Sequence, residues 1–363
     1  MTETQEKLGR LRALMAENQI DGVHLRGIDW FSWLTSGGTN VVFLPSETGI
    51  ADLFITAKEA WILTNRIETR RLVDEEPTSD FRITDFNWQD SQAIYSFIKE
   101  KCGGPVVCDR PQLFEKPLPM VFNHLKWVLG EGDIERYRSL CRESAEAMTD
   151  ALTLAKPEWT ENQLAGEGAK ALWSRGIEAT LILIAGHDRG KIYRHPTVVS
   201  KPIGKSVMMV FSARRNGLYA NITRFVYFNE PSASERATFE KLSKIEQQGL
   251  DAVQVGSTLK SVYSAFADAY RDAGVPEEIN NHHQGGSCGY QSREVFANPS
   301  LPAEQDIPFV AGMAFAWNPS LPGAKLEDTI LLTKNGIEIL TVDPRWPTVH
   351  VGVRARPAWW VKA

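Results

Sequence analysis

Five short stretches of this 363-residue chain carry side chains able to do chemistry: Tyr193-Arg194-His195-Pro196, Asn221-Ile222-Thr223-Arg224, His282-His283-Gln284-Gly285-Gly286, Asn318-Pro319 and Leu326-Glu327-Asp328-Thr329. An imidazole titrates near about pH 6.5, so His195 is suited to taking a proton from water and returning it to a leaving nitrogen. Glu327 is suited to orienting a substrate ammonium or amidinium, to holding the histidine in its cationic form, or to a structural salt bridge with Arg224 or Arg293. Arg293 carries the fork that grips a carboxylate on two nitrogens. Tyr219, Asn221 and Asn318 offer neutral hydrogen-bonding groups for a polar substrate. Cys288 has only His283 nearby as a base, so it is expected to pack rather than to attack.

A metal centre is not expected from spacing. His187, Asp188, His195, His282, His283 and Glu294 are suitable ligand types, but HxxxH and HExxH patterns are absent. Adjacent histidines on a strand face opposite ways, so His282 and His283 are not expected to share an ion.

Helices and short strands must position these groups. In the first part, Thr2 to Asn18 reads as an amphipathic helix, with Leu8, Leu11 and Met15 at helical spacing. Gly22 to Leu25, Ile50 to Thr56, Ala60 to Thr64 and Pro105 to Asp109 read as strands, and Gln92 to Lys101 as a helix. This predicts a small α/β domain over residues 1–130, in which Trp30 and Trp33 belong to the core or to a dimer surface. A Gly-punctuated break at Val128 to Asp133 separates it from a second domain, residues 131–363.

That second domain has long helical patterns at Ile134 to Leu154, Thr160 to Arg175, Ser234 to Val253 and Leu259 to Ala273, with Asp133 and Thr160 as expected N-caps. Apolar runs at Leu181 to Ala185, Val207 to Ser212 and Ala314 to Trp317 read as sheet strands, and Asn221 to Arg224 as a turn. Helices followed by strands, without strict alternation, predict an α+β class. Within Gly312 to Gly336, two strands joined by a Pro/Gly turn direct one acid inward, and Asn318 stands where a second acid is expected.

Composition narrows the partners. A net charge of −5 gives no basic footprint for nucleic acid or an anionic membrane, and no run approaches 18 apolar residues. Four cysteines without a CxxC pair fit reduced thiols. The charged, amphipathic start lacks the apolar core of a signal peptide, so a cytoplasmic protein acting on a small molecule is expected.

The order and spacing of these motifs, from the opening helix to Leu326-Glu327-Asp328-Thr329-Ile330-Leu331-Leu332-Thr333-Lys334-Asn335-Gly336, resemble the pita-bread fold shared by creatinase, aminopeptidase P, prolidase and methionine aminopeptidase, with a creatinase-type N-terminal domain in front. The resemblance implies a homodimer, and it implies where two metal ions would bind in the peptidases: Asp, Asp, His, Glu and Glu. Those positions fall on Val210, Asn221, Gly286, Asn318 and Glu327, so four of five ligands are absent. Tyr219 and Asn221 then lie on the strand that would have carried acids into the pocket.

Such a set cannot hold divalent ions firmly, because valine and glycine offer no donor. Loss as a set also makes electrostatic sense, since clustered acids without cations repel one another. The expectation is therefore no metal and no cofactor.

Creatinase is the member of this family that the remaining residues resemble. It works without metal, with a histidine matched by His195 and a glutamate matched by Glu327. Arg293 and Glu294 occupy the family's His-Glu pair, and Thr223, Arg224 and His283 complete the expected substrate contacts. Thr223 stands where creatinase has a second Glu, which argues against creatine itself. The expected activity is hydrolysis of a C–N bond in a small substrate that bears a carboxylate, with or without a cation, and with His195 as acid and base. The alternatives are a non-catalytic binding or scaffold module and, against the ligand count, an Xaa-Pro metallopeptidase.

Overall fold

The computed structural model describes residues 1–362. They form two compact units, Met1–Lys126 with Glu131–Asp133, and Trp127–Gly130 with the chain from Ile134 onward.

In the first unit, Thr2 caps the helix Glu3–Glu17 through a reciprocal pair with Gln5, which satisfies amides the helix itself leaves open. The six-stranded sheet runs in the order Arg82–Phe86, Ala60–Asn65, Thr48–Thr56, Gly22–Gly27, Val106–Cys108 and Lys116–Pro117. Phe54, Trp61, Leu63, Ile98 and Val106 pack together on it. Trp30 and Trp33 are buried and meet edge to face at 5.6 Å, so they are core residues of this unit. His24 is fully buried between two carboxylates, Glu115 at 2.5 Å and Asp52 at 3.1 Å. Burial alone would lower its pKa, but the hydrogen bonds from Asp52, Cys108 and Glu115 raise it well above the usual value.

The second unit holds the long helix Glu131–Leu154 from Ile134 onward, and the helices Glu161–Trp173, Ala233–Asp251 and Leu259–Asp272. Thr160 caps its helix as expected, paired reciprocally with Gln163. Asp133 does not cap. The helix already begins at Glu131, and Asp133 lies in its first turn, where its charge suits the helix dipole.

A four-stranded sheet orders Trp360–Val361, Leu218–Tyr227, Ser206–Arg215 and Glu178–Gly186. The expected turn at Asn221 to Arg224 is instead the middle of a strand. The hairpin turns at Asn216-Gly217, both with positive φ (53° and 77°), the conformation that a two-residue Asn-Gly turn needs. Ser212 then pairs with Asn221 and Val210 with Thr223.

A five-stranded antiparallel sheet orders Val295–Phe296, Gly285–Cys288, Ala314–Trp317, Asp328–Thr333 and Gly336–Ile339. The two sheets join where the Thr223 amide donates to the Glu327 carbonyl at 3.1 Å. The Asn221 amide also donates to the Thr329 hydroxyl, at 2.8 Å.

A buried ion network anchors this junction. Asp328 receives Arg224 Nη2 and Arg356 Nη2, each at 2.8 Å, and the Thr341 hydroxyl at 2.6 Å. Arg356 also grips Glu246 with two nitrogens, at 2.8 and 2.5 Å. All four charged groups are buried, so each depends on its partners for the solvation it has lost.

Removing one member strands the others. Arg356→Met is expected to lower the unfolding free energy by about 3–5 kcal/mol in urea titrations, and the double variant with Glu246→Met to recover part of that loss. A loss below about 1 kcal/mol would contradict the anchoring role.

Candidate active site

Glu327 lies at the entry to the strand Asp328–Thr333, and Asn318 just past the exit of Ala314–Trp317. Between them Ser320–Leu321 pairs with Ala324–Lys325 around Gly323, whose φ of +80° suits glycine. In an extended segment, residues two apart share a face, so Lys325 and Glu327 point the same way.

The Glu327 carboxylate is buried and heavily partnered. Oε1 receives Arg293 Nη2 at 2.7 Å and Asn318 Nδ2 at 3.2 Å, Oε2 receives the Thr223 hydroxyl at 2.8 Å, and Lys325 Nζ stands 4.0 Å from Oε2. Burial would raise its pKa, but Lys325, Arg293 and the Thr223 hydrogen bond hold it below the usual carboxylate value. Lys325 is itself buried, and burial lowers the pKa of its ammonium, opposed by Glu327.

Three histidines lie alongside. His195 Nε2 meets His282 Nε2 at 2.9 Å, the His282 and His283 rings stack at 4.3 Å, and His195 lies 5.4 Å from the His283 ring. Lys325 Nζ is 3.5 Å from His282 Nε2 and so links the histidines to Glu327. Burial, with Lys325 next, pushes the His195 pKa below its usual value and the His282 pKa far below. Burial, with Arg293 next, takes His283 down to about 3. All three rings are therefore neutral near pH 7, and His195 alone of the three has an exposed side chain.

The geometry brings together Glu327, Arg293, Asn318 and Thr223, and places His195 with His283. Lys325 and His282 belong to the same constellation and were not anticipated. Lys325 could have been found from its two-residue spacing to Glu327. His282 and His283 do not face opposite ways, because they precede the strand Gly285–Cys288 rather than lying on it.

Other expected substrate contacts are engaged within the fold. The Arg224 guanidinium is buried against Asp328 and the carbonyls of Thr341, Thr223 and Glu327. Asn221 exchanges hydrogen bonds with Ser292, accepting from its hydroxyl at 2.9 Å and donating to its carbonyl at 3.3 Å. Glu294 accepts from the Gln291 amide, and the Tyr219 hydroxyl from Arg214. Arg293 holds Glu327 instead of presenting an open fork, although its Nε is buried without a partner. Cys288 packs as expected. It is buried at 3.2 Å from the Tyr137 hydroxyl, and burial pushes its thiol up to about 11.

A dinuclear carboxylate centre does not fit these residues. Val210 packs among Leu183, Ala185, Met208, Phe225 and Tyr227. A Cβ on Gly286 would lie 2.0 Å from the Val295 carbonyl oxygen, so no histidine can stand there on this backbone. Asn318 donates its amide to the one remaining acid, which Arg293 already holds.

The sequence pattern of metallopeptidase family M24 matches residues 135–334, more than half of the chain. The chain belongs to that family. Over most of its length this M24 member is similar to an Xaa-Pro dipeptidase of Pyrococcus horikoshii, 22% identical across 94% of the chain and 98% of the relative. An uncharacterised peptidase of Staphylococcus saprophyticus is 24% identical, but that match spans only 60% of the chain and 63% of the relative. The structure of an Xaa-Pro dipeptidase from Bacillus anthracis superposes with a TM-score of 0.79 at 18% identity, over 99% of this chain and 100% of that one. The M24 chain therefore has the α+β pita-bread architecture with an N-terminal domain in front.

The buried charge of Glu327 has a pH signature. Its folded pKa lies below the unfolded value of about 4.5, so its contribution is present above that value and is lost as pH falls through the folded pKa. Below about pH 4.5, wild type is expected to lose stability more steeply than Glu327→Gln; parallel pH profiles from thermal melts would contradict the pairing.

Proposed function

We propose that the chain is a hydrolase that cleaves a C–N bond of a small, carboxylate-bearing substrate by general acid–base chemistry of His195, without the family's dinuclear centre. The observation that carries this reading is the position of His195. It is a neutral imidazole on the open side of a cluster whose inner members are Lys325 and Glu327. With Nε2–H donating to His282, the other nitrogen, Nδ1, takes a proton from water. The imidazolium so formed keeps its hydrogen bond to His282 and then returns the proton to the departing nitrogen.

Two buried atoms support the substrate class. Arg293 Nε is a donor suited to a carboxylate oxygen, and Asn318 Oδ1 is an acceptor suited to a substrate N–H; neither has a partner within the protein. Grip on a substrate cation finds no support, since Arg293, Asn318 and Thr223 already hold Glu327.

A binding or scaffold module is the second reading, favoured by the absence of four of the five expected ligands. The proposal also includes a cytoplasmic homodimer, in keeping with the free, buried cysteines at 102, 108, 141 and 288. No helix among the described residues is long and apolar enough to cross a membrane.

The relatives' names make Xaa-Pro dipeptides the first substrates to assay, with and without a chelator. Turnover is expected to survive chelation, and His195→Ala to lower kcat by roughly 10²–10⁴-fold. Full turnover in His195→Ala would sink the mechanism. Saturable binding of these dipeptides without cleavage would favour the binding module.

A further inference from the structure

We propose that His195, His282 and His283 form a binding site for one borderline transition-metal ion of the Zn2+, Co2+ or Ni2+ type, separate from the family's carboxylate positions.

One ring nitrogen from each histidine lies within 4.8 Å of one from each of the others. The Nε2 atoms of His195 and His282 face each other at 2.9 Å. Nitrogens bound to one tetrahedral zinc at about 2.0–2.1 Å lie roughly 3.3 Å apart, so this pair needs to part only slightly to admit an ion between them. A small closing movement of the His283 ring toward this pair, from within 4.8 Å, completes a three-nitrogen set. His283 Nδ1 is buried with no hydrogen-bond partner.

The surroundings support the rings as ligands. Phe296 packs edge-on against the His283 ring at 4.8 Å, and Gln284 Nε2 holds the His282 backbone carbonyl at 2.7 Å, so the His283 ring and the His282 main chain are both supported from outside the trio. Among the described residues, no salt bridge ties any of the three to a carboxylate. A trio of imidazoles suits zinc, cobalt, nickel and copper, whereas magnesium, calcium and manganese want oxygen ligands. The exposure of His195 leaves the fourth position open to water.

Lys325 is the competing group. Its Nζ lies 3.5 Å from His282 Nε2, and an ammonium there claims the lone pair that the ion needs. Glu327, 4.0 Å behind it, draws that ammonium the other way. Metal binding and proton transfer draw on the same imidazole of His195, so a bound ion and the shuttle exclude each other.

A second group in the first unit, His24, Cys108 and Glu115, also has ligand atoms in proximity. Both His24 nitrogens there are held by carboxylates, which accounts for that group without an ion.

The test is titration of the chelator-treated full chain with Co2+, read by ligand-field absorption and calorimetry, with Mn2+ as a control. Expected are one tetrahedral Co2+ per chain displaced by Zn2+, and no uptake of Mn2+. His283→Ala and His195→Ala should each weaken binding by about tenfold or more, and Lys325→Met should tighten it. Absence of Co2+ binding would overturn the site. So would binding unchanged in His283→Ala, or a thiolate charge-transfer band, which would place the ion at Cys108. Because binding is read without substrate, its failure leaves the hydrolase reading standing, and failure of the dipeptide assay leaves the metal site standing.

Discussion

A buried carboxylate is tolerable only when cations or donors replace the water it has lost, and this chain supplies them from its own side chains. Glu327 and Asp328 are consecutive, and each is met by an arginine, Arg293 on one and Arg224 with Arg356 on the other. Consecutive residues on an extended chain face opposite ways, so one acid serves the pocket and its neighbour locks the strand beneath it. The Asp328 network therefore fixes the strand that carries the pocket carboxylate, while the charge of that carboxylate is held by Lys325, Arg293 and Thr223.

Internal neutralisation changes what the pocket can do. A metal ion would polarise substrate and activate water, whereas an arginine held by a carboxylate mainly fixes geometry. On the proposed reading, the chemistry passes to the histidines, which burial and neighbouring cations keep neutral. That shift suits proton transfer on a susceptible bond more than attack on an unactivated one.

The sequence made the architecture legible because apolar periodicity and capping are local. The helices 131–154, 161–173, 233–251 and 259–272 and the cap at Thr160 can each be read within one window. Asn221, Thr223 and Arg224 look like turn residues by type, but the turn signal that counts lies five residues earlier, at Asn216-Gly217. The site was half legible. Glu327, Arg293 and His195 stood out by type, but the partner of Arg224 depends on Asp328 and Thr341, over a hundred residues away, and no window shows it. His282 escaped because strand alternation was applied to residues that lie before the strand.

Gly286 carries a consequence for how this chain can change. With the Val295 carbonyl 2.0 Å from where its Cβ would stand, the neighbouring strand leaves no space for a side chain there. Replacement by histidine meets backbone, which yields only if Val295–Phe296 moves first. Substitution therefore works one position at a time against a closed door here, and selection acting on this chain can refine the pocket it has more readily than it can add an imidazole at this strand.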